Sequence, residues 1–492
     1  MKKFLGTNPL YVFLIAPFFV LHGYFENFGY IAVGQTLLLA GMYCAGALLT
    51  FLLFLAIYRD RSKAALAAGF ILSVYFFFGA FHDLLKEQVH PLAHYSLLLS
   101  ALGLTAIVLL FWLGRTKRKF TGLQLFLNSL FLVYILVDLA GIINRSFQKD
   151  QDTGRAIRQQ KMGYVPYAGT TKPDIYFLLF DAYTSSLALK EKYHFDNGDF
   201  DRFLLSEGFH IQRQSRSNYQ FTFFSMPSML NMSYVPGLEI KRDSIELRKY
   251  LTDLVRDNEF TAFLHRQGYE IVNCSIFDLQ GNPSPVDESL LPIKTRLITE
   301  QTLYSRVMKD LGFHFLPYFR NTLLEKELYR SRENDNRLIS LVKSQSAVPA
   351  ARPRFVYGHF NFPHPPYYYD SLGNPRRVVT FYSASDENDW KSYIDYLTYT
   401  NARAEELVRT IKKNTGGRAV IVLMGDHGLR YHTLPGPPPL YQLQNQNAVY
   451  FPGKDYHLFY DSISAVNQFR VVLNSLFGQN LPLLKDSTVE LK

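Results

Sequence analysis

The sequence predicts an N-terminal five-helix transmembrane domain followed by an α/β domain of the alternating kind, with a mostly parallel central sheet between helices. Three observations lead to this fold class. Up to about residue 145 the chain is mostly apolar, with charges confined to short clusters. Beyond that point it has the mixed composition of a globular domain, and short β-rich runs alternate with helical patterns. At 492 residues the chain has room for two or three domains.

Five apolar segments account for the first part. Most are close to the ~20 residues that cross a bilayer core of ~30 Å as a helix, although the first is short and begins after Pro9. The segments lie at 10–24, 32–57, 65–83, 94–113 and 122–144. We therefore divide the chain into a five-span transmembrane domain (1–145), a polar juxtamembrane linker (146–170) and a further domain of mixed composition (171–492).

Basic residues between the segments predict the orientation. They precede the first segment and follow the second and fourth: Lys2, Lys3, Arg59, Arg61, Lys63, Arg115, Lys117, Arg118 and Lys119. The other two connections are poor in lysine and arginine, and basic residues stay on the cytoplasmic side. Five spans from a cytoplasmic N-terminus place the domain after residue 145 outside the cytoplasm. No A-x-A-like site follows the first segment, so a cleaved signal peptide is not expected.

Charge and cysteine content argue against a nucleic-acid-binding protein and against a disulfide-stabilised fold. The formal net charge is +10, but nine of the basic residues flank apolar segments, so the lipid bilayer explains most of the excess and no nucleic-acid partner is expected. The two cysteines, Cys44 and Cys274, lie far apart in the chain and in different kinds of sequence. No disulfide framework is therefore expected.

The α/β domain is predicted from four β-rich runs at 174–180, 269–274, 354–360 and 419–424. The first and last are almost wholly apolar, as expected of strands covered on both faces. Helical patterns lie between them, at 199–209, 244–268 and 389–417. Strands alternating with helices indicate a mostly parallel sheet. The segment at 280–350 has no clear pattern and is read as an insertion on the core sheet.

Metal-capable side chains follow three of these strands. Asp181 follows the first, the adjacent pair Asp426 and His427 follows the last, and His364 follows the third. In open α/β sheets ligands bind beyond the carboxyl ends of the strands. An aspartate there is also a common helix cap or turn residue, and a histidine in a proline-rich loop is often a packing residue. Their combination favours a shared site.

A fourth stretch, "SRSNYQFTFFSMPSMLNMSYV" at 215–235, contains a helix start. Thr222 precedes Ser225 and Pro227 in a pattern typical of a helix N-terminus. A hydroxyl at that position faces unpaired N–H groups and the positive end of the helix dipole, which suits a phosphoryl oxygen. The alternative is that Thr222 or Ser225 is only an N-cap.

Together these stretches resemble the alkaline phosphatase and sulfatase superfamily. "PDIYFLLFDAY" and "VIVLMGDHG" are similar to its two metal-ligand strands, "SNYQFTFFSMPSMLN" to its nucleophile helix and "HFNFPHPPY" to its histidine loop. The resemblance covers most of residues 172–487 and implies an alkaline phosphatase-like fold. Five spans before an external catalytic domain is also the plan of lipoteichoic acid synthases and phosphoethanolamine transferases.

The resemblance implies a site with one divalent cation. Its ligands would be Asp181, Thr222, Asp426 and His427, with Zn²⁺ or Mn²⁺ favoured and Mg²⁺ or Ca²⁺ as alternatives. Thr222 would also be the nucleophile, since metal coordination can supply its alkoxide. Attack would give a phospho-threonine that water or an acceptor alcohol resolves. His364 would contact the substrate phosphate or protonate the leaving group. Further candidates for substrate contact are His359, Asn218, Arg430 and His432.

Departures from the family pattern separate its members. Sulfatases need a Cys or Ser within C/S-x-P-S-R, and the corresponding stretch here holds Thr222 without that signature. Two-metal phosphatases add an Asp-x-x-x-His; Asp310 with His314 has that spacing and is read as chance, and His457 is a weak candidate ligand. The predicted function is a membrane-anchored phosphotransferase or phosphodiesterase acting outside the cytoplasm on lipid- or glycan-linked phosphate. The alternatives are a sulfatase-like ester hydrolase and a non-catalytic envelope-assembly protein.

Overall fold

The structure, a computed structural model, describes residues 2–152, 162–167, 169, 171–235, 245–286, 295–315, 329–376, 389–430 and 439–491. The chain forms two compact units. The helical unit comprises Met1–Gln159 and Glu288–Arg320, and the sheet unit comprises Gln160–Asp287 and Asn321–Lys492. The helical unit thus includes a piece of chain that lies, in sequence, between two strands of the sheet unit.

The helical unit begins with six helices. They are α1 (Lys2–Thr7), α2 (Tyr11–Glu26), α3 (Val33–Tyr58), α4 (Arg61–Gln88), α5 (Tyr95–Arg115) and α6 (Thr121–Asp152), with a 3₁₀ turn at His90–Ala93. Four of them, α3 to α6, are long and apolar enough to cross a membrane, whereas α2 is apolar but shorter. Four of the five predicted spans are therefore helices of sufficient length and apolarity to cross a membrane, and the first predicted span falls short of that length. Helix α6 also continues into the predicted linker, as far as Asp152.

Helices α2 and α6 pack side by side and run in the same direction. At one end Asn128 on α6 accepts a hydrogen bond from the N–H of Tyr11 at 2.6 Å. Further along, His22 Nδ1 lies 3.2 Å from Asp138 Oδ1. At the other end the guanidinium of Arg145 lies 4.0 Å from the centre of the Phe25 ring. Residue numbers rise together along both helices, so the two are parallel.

Two helices complete the helical unit, α12 (Arg296–Thr299) and α13 (Leu303–Phe315). We call residues 295–315 the returning segment, because the chain comes back to the helical unit here. Leu297 and Ile298 pack into the apolar core of the bundle. The Gly79 N–H on α4 donates to the Gln301 carbonyl at 2.8 Å. This segment lies within the stretch that the sequence suggested as an insertion on the core sheet, and the structure assigns it to the helical unit instead.

The sheet unit contains six strands and eight helices among its described residues. The strands are β1 (Ile175–Phe180), β2 (His210–Ile211), β3 (Glu270–Cys274), β4 (Arg354–Phe360), β5 (Val420–Gly425) and β6 (Asn447–Tyr450). The helices are α7 (Ser186–Tyr193), α8 (Gly198–Ser206), α9 (Thr222–Asn231), α10 (Ile245–Arg256), α11 (Glu259–Arg266), α14 (Arg330–Ala347), α15 (Asp389–Thr415) and α16 (Ala465–Phe477). A 3₁₀ turn at Leu440–Gln442 precedes β6.

The sheet is mixed, with strand order β2-β6-β5-β1-β4-β3. The four strands predicted from sequence form a parallel block, β5-β1-β4-β3. Strand β6 pairs antiparallel with β5, and β2 pairs antiparallel with β6, so three of the five pairings are parallel and the sheet as a whole is mixed. These two strands have four and two residues, too short for a recognisable alternation of apolar and polar residues.

Both faces of the sheet are covered, as the apolar strand sequences require. Side chains of β1 alternate between two buried clusters: Tyr176, Leu178 and Phe180 contribute to one, and Ile175, Phe177 and Leu179 to the other. The helical pattern predicted over 244–268 is two helices, because the Asn258 side chain caps a new helix by accepting from the Thr261 N–H at 2.9 Å.

Candidate active site

The parallel pairing of β1 with its neighbours brings the predicted site residues together. Phe180 at the end of β1 lies opposite Gly425 at the end of β5 and opposite Phe360 at the end of β4. Asp181 and Asp426 therefore follow the same level of the sheet, side by side. This is the carboxyl edge of a parallel block, where ligands bind in open α/β sheets.

Three side chains form a buried cluster that could hold a metal ion: Asp181, Asp426 and His427. One ligand atom of each lies within 4.8 Å of the others. His427 Nε2 is 3.4 Å from Asp426 Oδ2 and 3.7 Å from Asp181 Oδ1. The hydroxyl of Thr222 lies 3.4 Å from the same nitrogen. The four residues that the sequence proposed as ligands thus converge, although Asp181 and His427 are 246 positions apart in the chain.

The remaining atoms of these side chains are held by the backbone. Asp426 Oδ1 accepts from the N–H groups of Ala182 and His427, both at 2.9 Å. His427 Nδ1 lies 2.8 Å from the Gly428 carbonyl, and a carbonyl can only accept, so the ring carries its proton on Nδ1. The Nε2 lone pair is then available as a ligand. Fixing the ring in this way is what metal-binding histidines require.

Within the cluster, two buried carboxylate oxygens, Asp181 Oδ1 and Asp426 Oδ2, have no hydrogen-bond partner among the described residues. A buried polar group without a hydrogen bond costs about 1–3 kcal/mol of folding free energy, and an unpaired buried charge costs more. A divalent cation bound by these oxygens, the Nε2 of His427 and the Thr222 hydroxyl would satisfy them all. The donor set, three oxygens and one imidazole nitrogen, fits such an ion.

The electrostatics of the pair also favour a cation. Burial, and next the charge of Asp426, raise the pKa of Asp181 well above its usual value. Burial would raise the pKa of Asp426 too, but His427, His359 and hydrogen bonds from Thr222 and Ala182 together lower it. Burial lowers the pKa of His427 to about 4, which keeps the imidazole neutral at pH 7. Two adjacent carboxylates that cannot both ionise freely would do so with a positive ion between them.

Thr222 is placed by the start of α9. It is the first residue of that helix and is partly exposed. One turn further on, the Ser225 hydroxyl donates to the Asp426 carbonyl at 2.8 Å and contacts Ser217 Oγ. Ser225 therefore ties the nucleophile helix to the strand end that carries Asp426. The N-cap reading of Ser225 is wrong, since the hydroxyl is used in this tie.

The histidine loop after β4 contributes His364. Its Nδ1 lies 2.6 Å from the Pro365 carbonyl, which fixes the tautomer and leaves Nε2 as an acceptor. Burial, reinforced by the charge of Arg430, lowers the pKa of His364 to about 4. The Arg430 guanidinium stacks 4.4 Å above the Phe221 ring, next to Thr222. Its charge also lowers the pKa of Asp181, so Arg430 lies near the cluster.

Three other predicted residues have different surroundings. His359 is fully buried, with Nδ1 2.8 Å from the Tyr357 hydroxyl, and its charge acts on Asp426. Its side chain has no exposed surface. Asn218 is also buried, and its amide is bonded to the Val466 N–H and the Ser487 carbonyl, which gives it a structural role in place of the expected substrate contact. His432 lies outside the described residues.

The minor candidates lie away from the cluster. His457 is exposed and pairs with Asp455 at 2.5 Å. Asp310 belongs to the returning segment, where its carboxylate accepts from the Tyr95 hydroxyl at 2.5 Å, and the side chain of His314 lies outside the described part of the structure. The structure also reveals a residue that the sequence did not indicate, Asp335 on α14. It is buried, accepts from the Asn361 N–H at 2.8 Å, and its charge reaches Asp181.

The mixed sheet thus carries two aspartates, a histidine and a threonine at the carboxyl edge of its parallel block. The family model described as "Sulfatase" matches residues 258–469. The match covers less than half of the chain and is consistent with the resemblance to the alkaline phosphatase and sulfatase superfamily that the sequence indicated. Asp426 and His427 lie inside the matched range, whereas Asp181 and Thr222 precede it. No curated protein matches the chain.

Several solved structures are similar to the chain. One is the C-terminal periplasmic domain of EptC from Escherichia coli in complex with Zn, with 13% identity, a TM-score of 0.41, and coverage of 65% of this chain and 86% of that one. Another is the C-terminal periplasmic domain of the phosphoethanolamine transferase EptC from Campylobacter jejuni, with 15% identity, a TM-score of 0.40, and coverage of 64% and 91%. A third is the putative sulfatase yidJ from Bacteroides fragilis, with 14% identity, a TM-score of 0.37, and coverage of 66% and 78%.

Proposed function

We propose that the protein is a membrane-anchored, metal-dependent phosphotransferase or phosphodiesterase whose nucleophile is Thr222. The observation that carries the proposal is the position of its hydroxyl, 3.4 Å from His427 Nε2 at the edge of a buried cluster of metal-capable atoms. A threonine hydroxyl is a weak nucleophile unless a base or a metal activates it. Here it starts a helix, partly exposed, beside the groups that could hold the activating ion.

The proposed reaction has two displacements. Thr222 Oγ1 attacks the phosphorus of a phosphodiester, the P–O bond to the leaving alcohol breaks, and a phospho-threonine forms. Water or an acceptor alcohol then attacks the same phosphorus and releases Thr222. A divalent cation bound by Asp181, Asp426 and His427 would lower the pKa of the Thr222 hydroxyl and offset the phosphoryl charge. Zn²⁺ or Mn²⁺ suits this donor set best, with Mg²⁺ or Ca²⁺ as alternatives.

His364 and Arg430 would serve the substrate. The neutral His364 presents Nε2 as a proton acceptor, so in the first displacement it can pass the hydroxyl proton of Thr222 to the leaving alcohol. In the second displacement it can pass the proton of the incoming water or alcohol to the released Thr222 oxygen. A bound phosphate would raise its pKa from about 4 toward the working pH. Arg430, held over Phe221, offers a permanent positive charge to phosphate oxygens.

Phosphoryl transfer is preferred to sulfate-ester hydrolysis because of the residue at 222. The resembling sulfatases use a Cys or Ser converted to formylglycine, and threonine is neither. Its secondary hydroxyl suits direct attack on phosphorus. The substrate would be a lipid- or glycan-linked phosphate ester, because the same chain carries helices able to cross a membrane.

The returning segment supports an external location for the catalytic domain. It contacts α4 at Gly79 and Asp83, at the end far from the basic residue Arg61. At 1.5 Å per residue these contacts lie about 27 and 33 Å along α4 from Arg61. By the positive-inside rule that end is external. The returning segment is continuous at both ends with the sheet unit, so we infer that the catalytic domain is external too.

Parallel packing of α2 and α6 supports a fifth span. Three helices that could cross a membrane, α3 to α5, separate them in sequence. If each crosses once, α2 and α6 cross in the same direction, as their packing shows. Helix α2 alone is about 24 Å long at 1.5 Å per residue, short of a ~30 Å core. The preceding helix α1 and the packing of α2 against α6 would compensate for this shortfall in length.

The test compares Thr222→Ala with Thr222→Ser in the full-length protein. Bound metal is identified by elemental mass spectrometry, and bis(p-nitrophenyl) phosphate and p-nitrophenyl sulfate are assayed. We expect phosphodiester turnover in the protein with Thr222, loss of about 100-fold or more in Thr222→Ala, and partial activity in Thr222→Ser. Metal should remain bound through Asp181, Asp426 and His427. Full activity of Thr222→Ala, or preference for the sulfate ester, would reject the proposal.

A further inference from the structure

The contacts of the returning segment are closer than a passing loop would make. A Cβ added to Gly79 would lie 2.8 Å from the Cα of Gln301, and one added to Gly23 would lie 2.7 Å from Ile298. Real side-chain atoms do not approach so closely, so these glycines are what allow the segment to enter the bundle. Ile298, Thr299 and Thr302 are buried there.

Polar contacts fix the segment in register. Arg306 is mostly buried, and its guanidinium lies 2.5 Å from Asp83 Oδ2 on α4. The same side chain donates to the Glu300 carbonyl at 3.1 Å. On the next helix the Tyr95 hydroxyl donates to Asp310. These bonds join the segment to α4 and α5, and apolar contacts join it to α2.

The depth of the segment is unusual for a chain that leaves a sheet domain. Gln301 meets α4 about 27 Å from Arg61, close to the outer boundary of a ~30 Å hydrocarbon core. Non-helical backbone at that depth is tolerated only where protein buries it. Residues 300–302 between the two short helices meet this condition, because Gly79 and Arg306 engage their carbonyls.

We propose that the returning segment is a coupling element, which the protein needs to act on a phosphate carried by a membrane lipid but not on a water-soluble phosphate ester. Through it the chain joins the helical unit to the sheet unit at two further points besides the linker after α6. Its positioning residues are Gly79, Asp83 and Arg306. For its substrates the proposal rests on the proposed function, while the docking itself can be tested without activity.

The activity test uses a close-approach variant and a matched control. Gly79→Leu fills the space that Gln301 occupies, whereas Gly46→Leu on α3 meets nothing within 4 Å. Each full-length variant is assayed on bis(p-nitrophenyl) phosphate and on vesicles of phosphatidylethanolamine and phosphatidylglycerol, with phospholipid consumption followed by mass spectrometry. We expect Gly79→Leu to lose about tenfold or more on vesicles and less than about twofold on the soluble ester. Equal loss on both substrates, or no loss on vesicles, would overturn the proposal.

A charge exchange guards against simple misfolding. Asp83→Arg and Arg306→Asp each place like charges together and should lower vesicle turnover. The double variant restores an opposite pair and should recover most of it, within about threefold. The exposed pair Asp199 and Arg202 on α8 provides the control exchange, with no effect expected. A double variant no better than either single one would contradict the coupling role.

Cross-linking tests the docking by itself. Asp83→Cys and Arg306→Cys are combined in a protein whose Cys44 and Cys274 are replaced by alanine. In membranes, a short bismaleimide, which spans the gap that the arginine side chain bridges, should join the two cysteines in most molecules, while either single cysteine gives no intramolecular product. Failure to cross-link would refute the docking. Cross-linking together with full activity of Thr222→Ala would instead refute only the proposed function.

Discussion

At the residue scale, the glycines around Asp426 and His427 explain why this strand end reads "GDHG". A Cβ added to Gly425 would lie 2.5 Å from the Tyr183 carbonyl oxygen, and one added to Gly428 would lie 2.5 Å from that of Tyr441. Neither glycine is needed for an unusual backbone angle. They are needed for space, because backbone from two other segments closes over the strand end and holds the ligands in place.

We predict that Gly425→Ala impairs metal binding as well as stability. The added methyl must push Asp426 or Tyr183 aside, which should cost about 1–3 kcal/mol of unfolding free energy. Metal affinity, measured by titration of the metal-free protein, should fall by about tenfold or more. Gly453→Ala, where a Cβ would meet nothing within 4 Å, is the matched control. Unchanged affinity in Gly425→Ala would mean that the strand end adapts.

Asp335 shows how a buried acid can escape notice in a sequence. It stands in the charged stretch "RSRENDNR", which is typical of a solvated helix face, yet it is buried beside Asn361. Burial raises its pKa to about 8, although the hydrogen bond from Asn361 acts in the opposite direction. One of its oxygens, Oδ2, has no hydrogen-bond partner.

This pKa predicts a pH-dependent stability. The folded-state pKa of about 8 lies above the ordinary 3.8, so the folded protein holds this proton more tightly than the unfolded chain. Stability from Asp335 is therefore present below pH 4 and is lost as the pH rises toward 8. Asp335→Asn keeps the acceptor for the Asn361 N–H. The gain in Tm of this variant over the parent protein should be a few degrees larger at pH 9 than at pH 5. The exposed Asp199→Asn should show no such difference, and identical pH profiles for both variants would disprove the assignment.

At the element scale, the nucleophile helix depends on chain that lies far away in sequence. Residues 481–489, here called the C-terminal strap, run along the loop that leads into α9. The Val489 N–H donates to the Asn218 carbonyl at 2.9 Å, and the Asn218 amide donates to Ser487 at 2.8 Å. Asp486 accepts from the Ser464 N–H at the start of α16 and, through its carbonyl, from Arg216. The strap therefore sets where α9 begins.

Asn218→Ala should separate the positioning of Thr222 from metal binding. It removes an acceptor for the Val466 N–H and a donor to the strap, at a cost of about 1–3 kcal/mol. We expect kcat for the soluble phosphodiester to fall by about tenfold with metal content unchanged, because the three buried ligands belong to other segments. Thr488→Ala, at an exposed position of the same strap, should behave like the parent protein. Equal kcat values in the two variants would exclude a positioning role.

At the scale of the whole molecule, the main feature is the order in which the chain passes between the two units. The helical unit contains an N-terminal bundle and a segment that follows β3 by about 20 residues. The sheet unit is correspondingly assembled from two stretches of chain, one on either side of the returning segment. Because the chain enters the sheet unit at both ends of the returning segment, the side of the membrane on which this segment lies indicates the side on which the sheet unit lies.

Cysteine labelling tests that statement. Single cysteines are introduced by Lys117→Cys between α5 and α6 and by Asp455→Cys after β6, both exposed positions, in a protein lacking Cys44 and Cys274. A membrane-impermeant maleimide applied to intact cells should label the second variant and spare the first until the membrane is broken. Labelling in the reverse order would place the catalytic domain in the cytoplasm and contradict the five-span topology.

The sequence by itself determined the features that local chemistry controls. Long apolar runs must be helices in lipid, because no water is present to satisfy the backbone, and apolar strands such as β1 and β5 must be covered on both faces. The strand ends that carry Asp181, Asp426 and His427 could also be predicted as a site from sequence, because ligands bind at the carboxyl edge of a parallel block.

Tertiary structure alone decided what depends on distant partners. Asn218 is a polar residue just before α9, and in the structure it is buried and hydrogen-bonded to the strap. Asp335 stands in a charged run of sequence, and in the structure it is buried. The edge strands β2 and β6 exist through pairing with longer neighbours, since two or four residues carry too weak a pattern of their own. The returning segment joined the bundle because Gly23 and Gly79, some 220 to 280 positions away, leave room for it. Such contacts are set by packing across the chain, which a local pattern of residues cannot encode.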